Sequence, residues 1–372
     1  MNTLVINKED LRHNIEKIKE YAGKSGNNDK GEPLKIIAVV KANGYGLGII
    51  EYTNFLIDNG ISSFAVATIE EALMLRNAGI KHEILMLSST SIKEDIKLLV
   101  ENDITLTAGS KQAIETINQI GQEFNKTIKI HLKIDTGFGR YGFIYSKIDE
   151  VIDIIKKSEN IKIEGTFTHF SISFYNQKYT ELQFNRFIDA VEILQKNEIK
   201  TGILHVCNSS AFLKYPSMHL NAVRVGSVFL GRLSFQNNLG LRRIAKLETN
   251  VVEIKELPKK FNVGYSNTYS TKKETKVAII PSGYMNGINI TSGKDMFRNI
   301  DKLRYIVRDF KDLLKKQAIY VKINGQNCKV LGRIGTYHLT CDITGKAVNI
   351  GDKVEIEINT KFVDSNIRRE YR

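Results

Sequence analysis

Eight short apolar runs, separated by stretches with helical periodicity, are the feature that most constrains the fold of this chain. Between residues 34 and 232 the runs alternate with segments such as 69–78 and 146–157, where apolar residues recur every three or four positions. Repeated strand–helix units with buried parallel strands close most readily into a (β/α)8 barrel of the TIM type. The runs are KIIAVVK from Lys35, FAVAT from Phe64, ILMLS from Ile84, ITLTAG from Ile104, IKIHLKID from Ile128, IEGTFTHF from Ile163, ILHVCNS from Ile203 and AVRVGSVFLG from Ala222.

The sequence changes character after about residue 247. Alternating, β-branched segments with Gly, Pro and Asn turns replace the strand–helix units, which is typical of antiparallel strands. The strand candidates are TNVVEIKEL, TKVAIIPSGY, AIYVKING, CKVLGRI and DKVEIEI, with one helical insertion near residues 300–316 and a further strand pattern at residues 3–6. We therefore predict an α/β + β architecture in which a barrel, residues 9–245, is followed by a mainly antiparallel β-domain, residues 246–372 with 1–8.

Composition and charge argue against several classes of protein. No segment approaches the ~20 consecutive apolar residues of a membrane span, and the N-terminus shows no signal peptide or lipidation motif. We therefore expect a cytoplasmic protein without a membrane partner. The net charge of +13 is spread among acidic residues, which argues against nucleic-acid binding. Because Cys207, Cys328 and Cys341 lack the spacing of a disulfide framework or a structural zinc site, we expect reduced thiols and no metal.

Polar residues that are unusual in buried strands collect at the C-terminal ends of the predicted barrel strands, the rim where barrel enzymes carry their catalytic groups. Lys41 ends the first run, and Gly44, Gly46 and Gly48 follow it. A lysine at the mouth of a barrel beside thin backbone suits a Schiff-base amine next to a bound phosphate. A surface lysine that caps a strand is the alternative. The other rim residues are Lys133, Asp135, His169, Asn208, Ser209 and Arg224.

The loops after the fifth and sixth runs each offer a candidate site residue. The loop DTGFGRYG presents Arg140, whose planar guanidinium suits a substrate carboxylate. The sixth run ends on THF, where a lone histidine, His169, is either a structural hydrogen-bonding residue or a base. Its expected position opposite Lys41 favours a role in chemistry.

Several motifs occur together and in order: VVKANGYGLG, DTGFGRYG, THF, HVCNSSA and VRVGSVFLG in the barrel, then VGYSNTY and PSGYMNG in the second domain. With this combination the chain resembles the bacterial alanine racemases, fold-type III enzymes that depend on pyridoxal 5′-phosphate. The likeness covers nearly the whole length. It implies an amino-acid racemase that works as a homodimer with shared active sites and usually supplies a D-amino acid as a peptidoglycan precursor.

The resemblance implies two catalytic residues, one on each face of the substrate. Lys41 binds the cofactor and is one base. Tyr265, in VGYSNTY, matches the phenol that reaches in from the partner subunit as the second base. His169 is expected to hydrogen-bond Tyr265, and Arg224 is expected to lie against the pyridine nitrogen and keep it unprotonated. In this family that arrangement weakens the cofactor as an electron sink, which favours proton exchange over transamination.

The resemblance also assigns a cofactor-phosphate site. Tyr45, Ser209 and the backbone amides of Gly226 and Ser227 hold the phosphate, and Asn208 is placed among the cofactor-binding residues. Without the resemblance, a packed aromatic residue explains Tyr45 equally well, and a helix cap explains Ser209.

Two more residues receive supporting roles from the resemblance. Lys133 matches a lysine that is often carbamylated in this family, where its added charge orients Arg140. Tyr284, in GYMNG at residues 283–287, is a supporting residue of the second domain.

The chain departs from the family pattern at the predicted substrate entrance. The family usually carries Gly-Arg-Val-Cys-Met-Asp where this chain has GRIGTY at residues 332–337. The backbone amide of Thr336 still serves as a donor to the substrate carboxylate, as the methionine does in the family. Further departures are Met285 and Asn286 in GYMNG, Ile290 in place of an arginine, Phe174 in place of an aspartate, and a tail in which Tyr371 or Asn366 replaces a tyrosine near the phosphate.

These departures leave the proton-transfer pair intact, so we expect altered substrate choice with retained chemistry. Alanine is the first candidate substrate, and serine, which a polar Asn366 would admit, is the next. Two other functions stay open. A decarboxylase of the same architecture would need a cysteine near the partner-supplied catalytic position, and Cys328 and Cys341 match no such motif. The second open function is that of a non-catalytic protein that binds the cofactor or a D-amino acid. The predicted β-domain argues against it, because single-domain cofactor carriers lack such a domain.

Overall fold

The computed structural model describes residues 1–24, 33–233, 235, 239–291, 298–315 and 318–372. These residues form two compact units. The unit of residues Lys8–Ile244 is called the barrel unit below, and the unit that combines Met1–Asn7 with Ala245–Arg372 is called the β unit.

The barrel unit is built on parallel strands that close into a ring. The first strand of the chain, β1 (Thr3–Ile6), belongs to the β unit, and the strands that follow are β2 (Lys35–Val39), β3 (Ser63–Val66), β4 (Glu83–Ser89), β5 (Thr105–Ala108), β6 (Ile128–Asp135), the short β7 (Phe143–Ile144), β8 (Ile161–Phe167), β9 (Ile203–His205) and β10 (Ala222–Val225). They pair in the order β5-β4-β3-β2-β10-β9-β8-β6, and β5 also pairs with β6. The predicted eight-stranded parallel barrel is confirmed, with β7 as a short addition beside β6.

One helix precedes the first barrel strand, and the others lie between or after barrel strands. They are α1 (Lys8–Lys24), the short turn α2 (Lys41–Tyr45), α3 (Ile49–Asp58), α4 (Ile69–Asn77), α5 (Lys93–Glu101), α6 (Lys111–Glu123), α7 (Asp149–Lys157), α8 (Gln177–Lys196) and α9 (Ser209–Lys214). In α6, Ile114, Ile117 and Ile120 are buried, as helical periodicity predicts. The hydroxyl of Ser110 caps this helix by accepting a hydrogen bond from a backbone N–H of its first turn. The helix expected at 146–157 begins later, at Asp149, because a 3-10 turn precedes it.

Two predicted strands are shorter than their apolar runs. β9 ends at His205 because Asn208 caps α9, its side-chain oxygen accepting hydrogen bonds from backbone N–H groups of the first helical turn. β10 ends at Val225 because the chain turns at Gly226, whose carbonyl accepts a hydrogen bond from the N–H of Phe229 at 3.1 Å. The apolar residues predicted as strand therefore lie in the turns that form the rim of the barrel.

The β unit is a mainly antiparallel sheet, as predicted. Its elements after β1 are β11 (Ala245–Asn250), β12 (Glu253–Leu257), β13 (Asn262–Val263), β14 (Tyr269–Ser270), β15 (Thr275–Ile280), α10 (Asn299–Lys315), β16 (Tyr320–Ile323), β17 (Gln326–Leu331), β18 (Leu339–Asp342), β19 (Lys353–Ile356) and β20 (Arg368–Tyr371). Nine strands pair in the order β12-β15-β18-β17-β16-β19-β11-β1-β20, and β13 and β14 form a separate ribbon. β1 and β20 pair in parallel.

One predicted strand of the β unit is in fact two. The run TNVVEIKEL divides into β11 and β12, which lie at different places in the sheet order. The break falls at Val251 and Val252, because the N–H of Val251 donates to Asp352 beside β19 while the N–H of Val252 donates to Ile279 of β15. The chain therefore leaves the middle of the sheet there and returns at its edge.

Candidate active site

Lys41 is held at the rim of the barrel by an unusual turn. The four residues that follow Lys41 all have φ angles in the left-handed region. The angles are 55° for Ala42, 53° for Asn43, 63° for Gly44 and 56° for Tyr45. The side-chain oxygen of Asn43 accepts a hydrogen bond from a backbone N–H of α3 at 2.9 Å, which stabilises the turn. The sequence signal for this turn is its glycine and asparagine content.

The surroundings of the Lys41 amine disfavour its positive charge. Burial lowers the pKa of Lys41, and the positive charge of Arg140 lowers it further, while Glu71 opposes the shift. Glu71 also accepts hydrogen bonds from the backbone N–H groups of Asn43 and Ala67, so its carboxylate helps to fix the turn. A neutral amine is the nucleophilic and proton-accepting form of a lysine.

Three of the predicted phosphate-binding residues lie against one another. The N–H of Gly226 donates to Oγ of Ser209 at 3.0 Å. A Cβ added at Gly226 would lie 2.3 Å from the hydroxyl oxygen of Tyr45, so only glycine fits beside this phenol. Burial raises the pKa of Tyr45 to about 12, which keeps its hydroxyl a donor at neutral pH. Ser227 lies next in the same turn.

Asn208, rather than Ser209, is the helix cap. The side-chain oxygen of Asn208 accepts hydrogen bonds from two backbone N–H groups of α9 and from the hydroxyl of Ser173 at 2.9 Å. The interpretation of Ser209 as a cap is therefore wrong, and its hydroxyl faces Gly226 instead. If Asn208 contacts the cofactor, its amide nitrogen makes that contact, because its side-chain oxygen already accepts these hydrogen bonds.

Arg224 is a buried cation surrounded by uncharged acceptors. Its guanidinium donates to the carbonyls of Thr168 and His205 at 2.7 Å and 2.8 Å, and to Nδ1 of His205 at 2.7 Å. It also lies 3.3 Å from Nδ1 of His169. Burial lowers the pKa of Arg224 to about 10, so the group stays charged at neutral pH. Burial, followed by the charge of Arg224, holds the pKa values of His169 and His205 well below their usual range.

Sequence reasoning missed His205 and its neighbour His131. Nε2 of His205 lies 2.8 Å from Nδ1 of His131, and both rings are buried in the barrel interior. The only sequence signal is a histidine within an otherwise apolar strand, in IKIHLKID and in ILHV.

Lys133 and Arg140 are two further basic residues in the same part of the barrel unit. Lys133 is buried on β6, with Nζ 4.2 Å from the ring centre of Phe167. Burial lowers the pKa of Lys133 well below its usual value, and the charges of Arg224 and Arg140 act in the same direction. The Arg140 guanidinium lies 4.5 Å from the ring centre of Phe138. The guanidinium groups of Arg140 and Arg224 give this region positive charge, which suits a phosphate and a carboxylate.

The loop that carries Arg140 is fixed by an acidic residue. Oδ1 of Asp135 accepts hydrogen bonds from the N–H groups of Gly137 and Phe138, both at 2.9 Å. Phe138 in turn lies edge-on to His169, with ring centres 5.5 Å apart. Asp135 thus has a structural role in shaping the loop.

Tyr265 lies in the β unit on an exposed turn. It follows Gly264, whose φ of 77° and close approach to the backbone of Arg333, 2.9 Å from an added Cβ, both require glycine. The phenol of Tyr265 is 68% exposed, so it is available to another molecule. Tyr265 lines a pocket of about 510 Å³ together with Arg333, Thr336, Tyr337 and other residues of the β unit.

Thr336 and Tyr284 meet beside this pocket. The hydroxyl oxygen of Tyr284 lies 2.9 Å from Oγ1 of Thr336, and the N–H of Tyr284 donates to the carbonyl of Gly335 at 3.1 Å. A Cβ at Gly283 would lie 2.2 Å from the same carbonyl, so the GYMNG and GRIGTY segments are in close backbone contact. The structure therefore brings Tyr265, Tyr284 and Thr336 into one group within the β unit.

The bond expected between His169 and Tyr265 joins residues of different units and stays a prediction. Phe174 is exposed, and its carbonyl accepts a hydrogen bond from Nζ of Lys214 at 2.6 Å. Tyr371 is a strand residue of β20, paired with Ile6 of β1.

Comparison with known proteins identifies the family. The alanine racemase N-terminal domain matches residues 6–233, and the alanine racemase C-terminal domain matches residues 244–366. An alanine racemase of Methanococcus maripaludis is 34% identical over 353 residues, which are 93% of this chain and 86% of that protein. Alanine racemase 2 of Caldanaerobacter subterraneus subsp. tengcongensis is 32% identical over 359 residues, which are 94% of this chain and 84% of that protein.

The fold comparison agrees with the sequence comparison. An alanine racemase structure from Clostridium difficile 630 matches with a TM-score of 0.83 at 27% identity, over 100% of this chain and 95% of that chain. The structure of a variant named CdALR K 271 T matches with the same TM-score at 28% identity. The chain belongs to the alanine racemase family and is an amino-acid racemase that uses pyridoxal 5′-phosphate.

Proposed function

We propose that this chain interconverts L- and D-alanine, with Lys41 as the base on one face of the substrate and Tyr265 of a second copy of the chain on the other. The observation that carries the proposal is the amine of Lys41, half-buried at the rim of the barrel with a lowered pKa beside Arg140. A lowered pKa raises the share of the neutral amine, which is the form that accepts a proton.

The residues at the rim fit pyridoxal 5′-phosphate. Lys41 would hold the cofactor, and Tyr45, Ser209 and the backbone amides of Gly226 and Ser227 would hold its phosphate. The N–H of Gly226 would then exchange its present acceptor, Oγ of Ser209, for the phosphate. The fit is supported by the hydroxyl groups that meet at Gly226: the phenol of Tyr45 packs against its Cα, and Oγ of Ser209 lies 3.0 Å from its N. When bound, this cofactor supplies an electron sink that makes the α-proton of an amino acid acidic.

Inversion needs a proton donor and a proton acceptor on opposite faces of the α-carbon. In the proposed mechanism Lys41 removes the α-proton of one enantiomer and the phenol of Tyr265 delivers a proton to the other face. In the reverse direction the two groups exchange roles. The exposure of Tyr265 on its own chain supports a role towards a second copy, which makes a homodimer with shared sites part of the proposal.

Arg224 would lie against the pyridine nitrogen of the cofactor. Its guanidinium can only donate hydrogen bonds, and the carbonyls of Thr168 and His205 hold it in place. A charged donor at that nitrogen keeps it unprotonated. This arrangement favours simple proton exchange over transamination.

Arg140 and Thr336 would bind the substrate carboxylate, with Lys133 and Tyr284 in support. Arg140 offers a planar pair of donors on a loop fixed by Asp135, and Thr336 offers a backbone amide. The hydroxyl pair of Tyr284 and Thr336 gives the pocket a polar wall, which supports serine as the second candidate substrate. We propose a cytoplasmic enzyme that supplies a D-amino acid for peptidoglycan.

The test is racemisation of alanine and of serine by purified protein with added cofactor, followed by chiral chromatography. We expect turnover of alanine in both directions. Turnover of serine alone would overturn the choice of substrate, and the lack of turnover with any common amino acid would overturn the mechanism. Release of carbon dioxide would favour the decarboxylase alternative, which the structure disfavours because Cys328 and Cys341 are buried.

A further inference from the structure

We propose that α10 docks this enzyme on an anionic lipid surface, with the apolar face of the helix inserted among the lipids. This helix carries an apolar stripe, defined as Ile300, Leu303, Ile306, Val307 and Phe310. All five side chains are between 52% and 64% exposed. At 3.6 residues per turn they fall within an arc of about 120° on one side of the helix.

The helix turns its apolar side away from the protein. Asp301 and Tyr305 are the less exposed residues of its described part, and they lie on the side opposite the apolar stripe. An ordinary surface helix does the reverse and buries its apolar face. An exposed apolar patch of this kind marks a site of contact with a protein or a membrane.

The charge around the apolar stripe favours an anionic surface. Arg304, Arg308 and Lys311 follow one edge of the stripe, and Lys302 lies at the other edge. Residues 298–311 carry five basic and two acidic side chains. Both acidic residues form ion pairs with neighbouring arginines, among them Arg298 with Asp301 at 2.5 Å. Apolar residues on one face with Lys and Arg beside them are typical of helices that lie in the plane of a membrane surface.

A second copy of the chain fits the apolar stripe less well. If two copies of α10 packed antiparallel through their apolar stripes, about a two-fold axis, the edge that carries Arg304 and Lys311 would face the same edge of the other helix. Like charges would repel there. An anionic lipid surface attracts both residues instead.

Docking of this kind needs no membrane span. No helix within the described part of the chain is long and apolar enough to cross a membrane. The expectation of no membrane partner was based on the lack of such a segment, and it does not apply to a helix that lies on the surface. The proposal is independent of the racemase mechanism, because the residues of the apolar stripe take no part in the candidate active site.

The experiment is co-sedimentation of the full chain with vesicles of phosphatidylcholine alone or with about 30 mol% phosphatidylglycerol. We expect binding to be at least about tenfold tighter on the anionic vesicles, because the basic residues beside the apolar stripe are attracted to a negatively charged surface. Replacement of Leu303 and Val307 together by aspartate should weaken binding at least about tenfold. Ile350→Asp is the matched control, because Ile350 is 62% exposed but lies outside the apolar stripe.

Two outcomes would overturn the proposal. One is equal binding of the unchanged chain and of the Leu303→Asp, Val307→Asp variant to anionic vesicles. The other is a smaller assembly of this variant in sedimentation velocity without lipid, which would show that another copy of the chain covers the apolar stripe. Alanine racemisation should stay unchanged in the variant, so a failure of docking is distinguishable from a failure of the proposed function.

Discussion

Nη1 of Arg224 lies 2.7 Å from Nδ1 of His205, so a buried cation donates a hydrogen bond to an imidazole in the barrel interior. Because a guanidinium can only donate, Nδ1 of His205 is the acceptor and the ring carries its proton on Nε2. That proton points to Nδ1 of His131 at 2.8 Å. The cation thus fixes the tautomers of both histidines, and both stay neutral.

The histidine pair predicts a loss of stability in acid. Burial lowers the pKa of His131 to about 4, whereas an unfolded histidine titrates near 6.5. Between these values the unfolded state binds more protons, so the free energy of unfolding falls as the pH falls, by up to about 1.4 kcal/mol per pH unit for each such histidine. Urea unfolding at several pH values measures this slope. His131→Asn should make the free energy of unfolding depend less on pH, whereas His338→Asn, at an exposed histidine, should leave that dependence unchanged. The same pH dependence in both variants would contradict the role given to His131.

Lys41→Ala should abolish both racemisation and covalent attachment of the cofactor. The amine is the only group of the proposed mechanism that bonds to the cofactor, so the absorbance of lysine-bound cofactor should disappear while the far-UV circular dichroism stays unchanged. Absorbance titration with pyridoxal 5′-phosphate is the measurement. Lys200→Ala, at an exposed lysine, is the control. Retention of the bound-cofactor spectrum in Lys41→Ala would place the bond elsewhere.

Tyr265→Phe should slow removal of the α-proton from one enantiomer more than from the other. A missing general acid or base typically costs about 10²–10⁴-fold. Deuterium exchange at the α-carbon, measured separately for L- and D-alanine in heavy water, reports each face of the substrate. Tyr337→Phe is the matched control, because Tyr337 lines the same pocket without an assigned proton transfer. Equal losses for both enantiomers would argue against a two-base mechanism.

Gly226→Ala should weaken cofactor binding at least about tenfold, because the new methyl group would displace the phenol of Tyr45 or the cofactor phosphate. Equilibrium dialysis with pyridoxal 5′-phosphate measures the affinity. Gly23→Ala is the control, since nothing lies within 4 Å of an added Cβ there. If both variants bind the cofactor like the unchanged chain, the phosphate does not lie at Gly226.

The fold could be predicted from sequence because parallel strands buried on both faces appear as continuous apolar runs. The ends of the strands could not be predicted in this way, because the turn at Gly226 is as apolar as β10 before it. The amphipathic pattern also located α10, but it could not reveal that the apolar stripe faces outward, because a helical period does not say which side meets the protein.

The candidate site was predictable where a residue stands at a strand end beside glycines, as Lys41 does. The hydrogen-bonded histidines in the barrel interior were not predictable. His131 and His205 are 74 residues apart in sequence and belong to different strands, so only the closure of the barrel brings them together. The contact of Tyr284 with Thr336 depends in the same way on the approach of two turns.

The first and last strands of the chain share one ladder, in which the carbonyl of Ile6 accepts a hydrogen bond from the N–H of Arg372 at 2.9 Å. During synthesis from the N-terminus, β1 can therefore pair with a neighbouring strand only after β11 has been made. Its other partner in the sheet, β20, is made later still. All barrel strands have emerged long before that. The unit that carries Lys41 can thus acquire its structure before the unit that carries Tyr265.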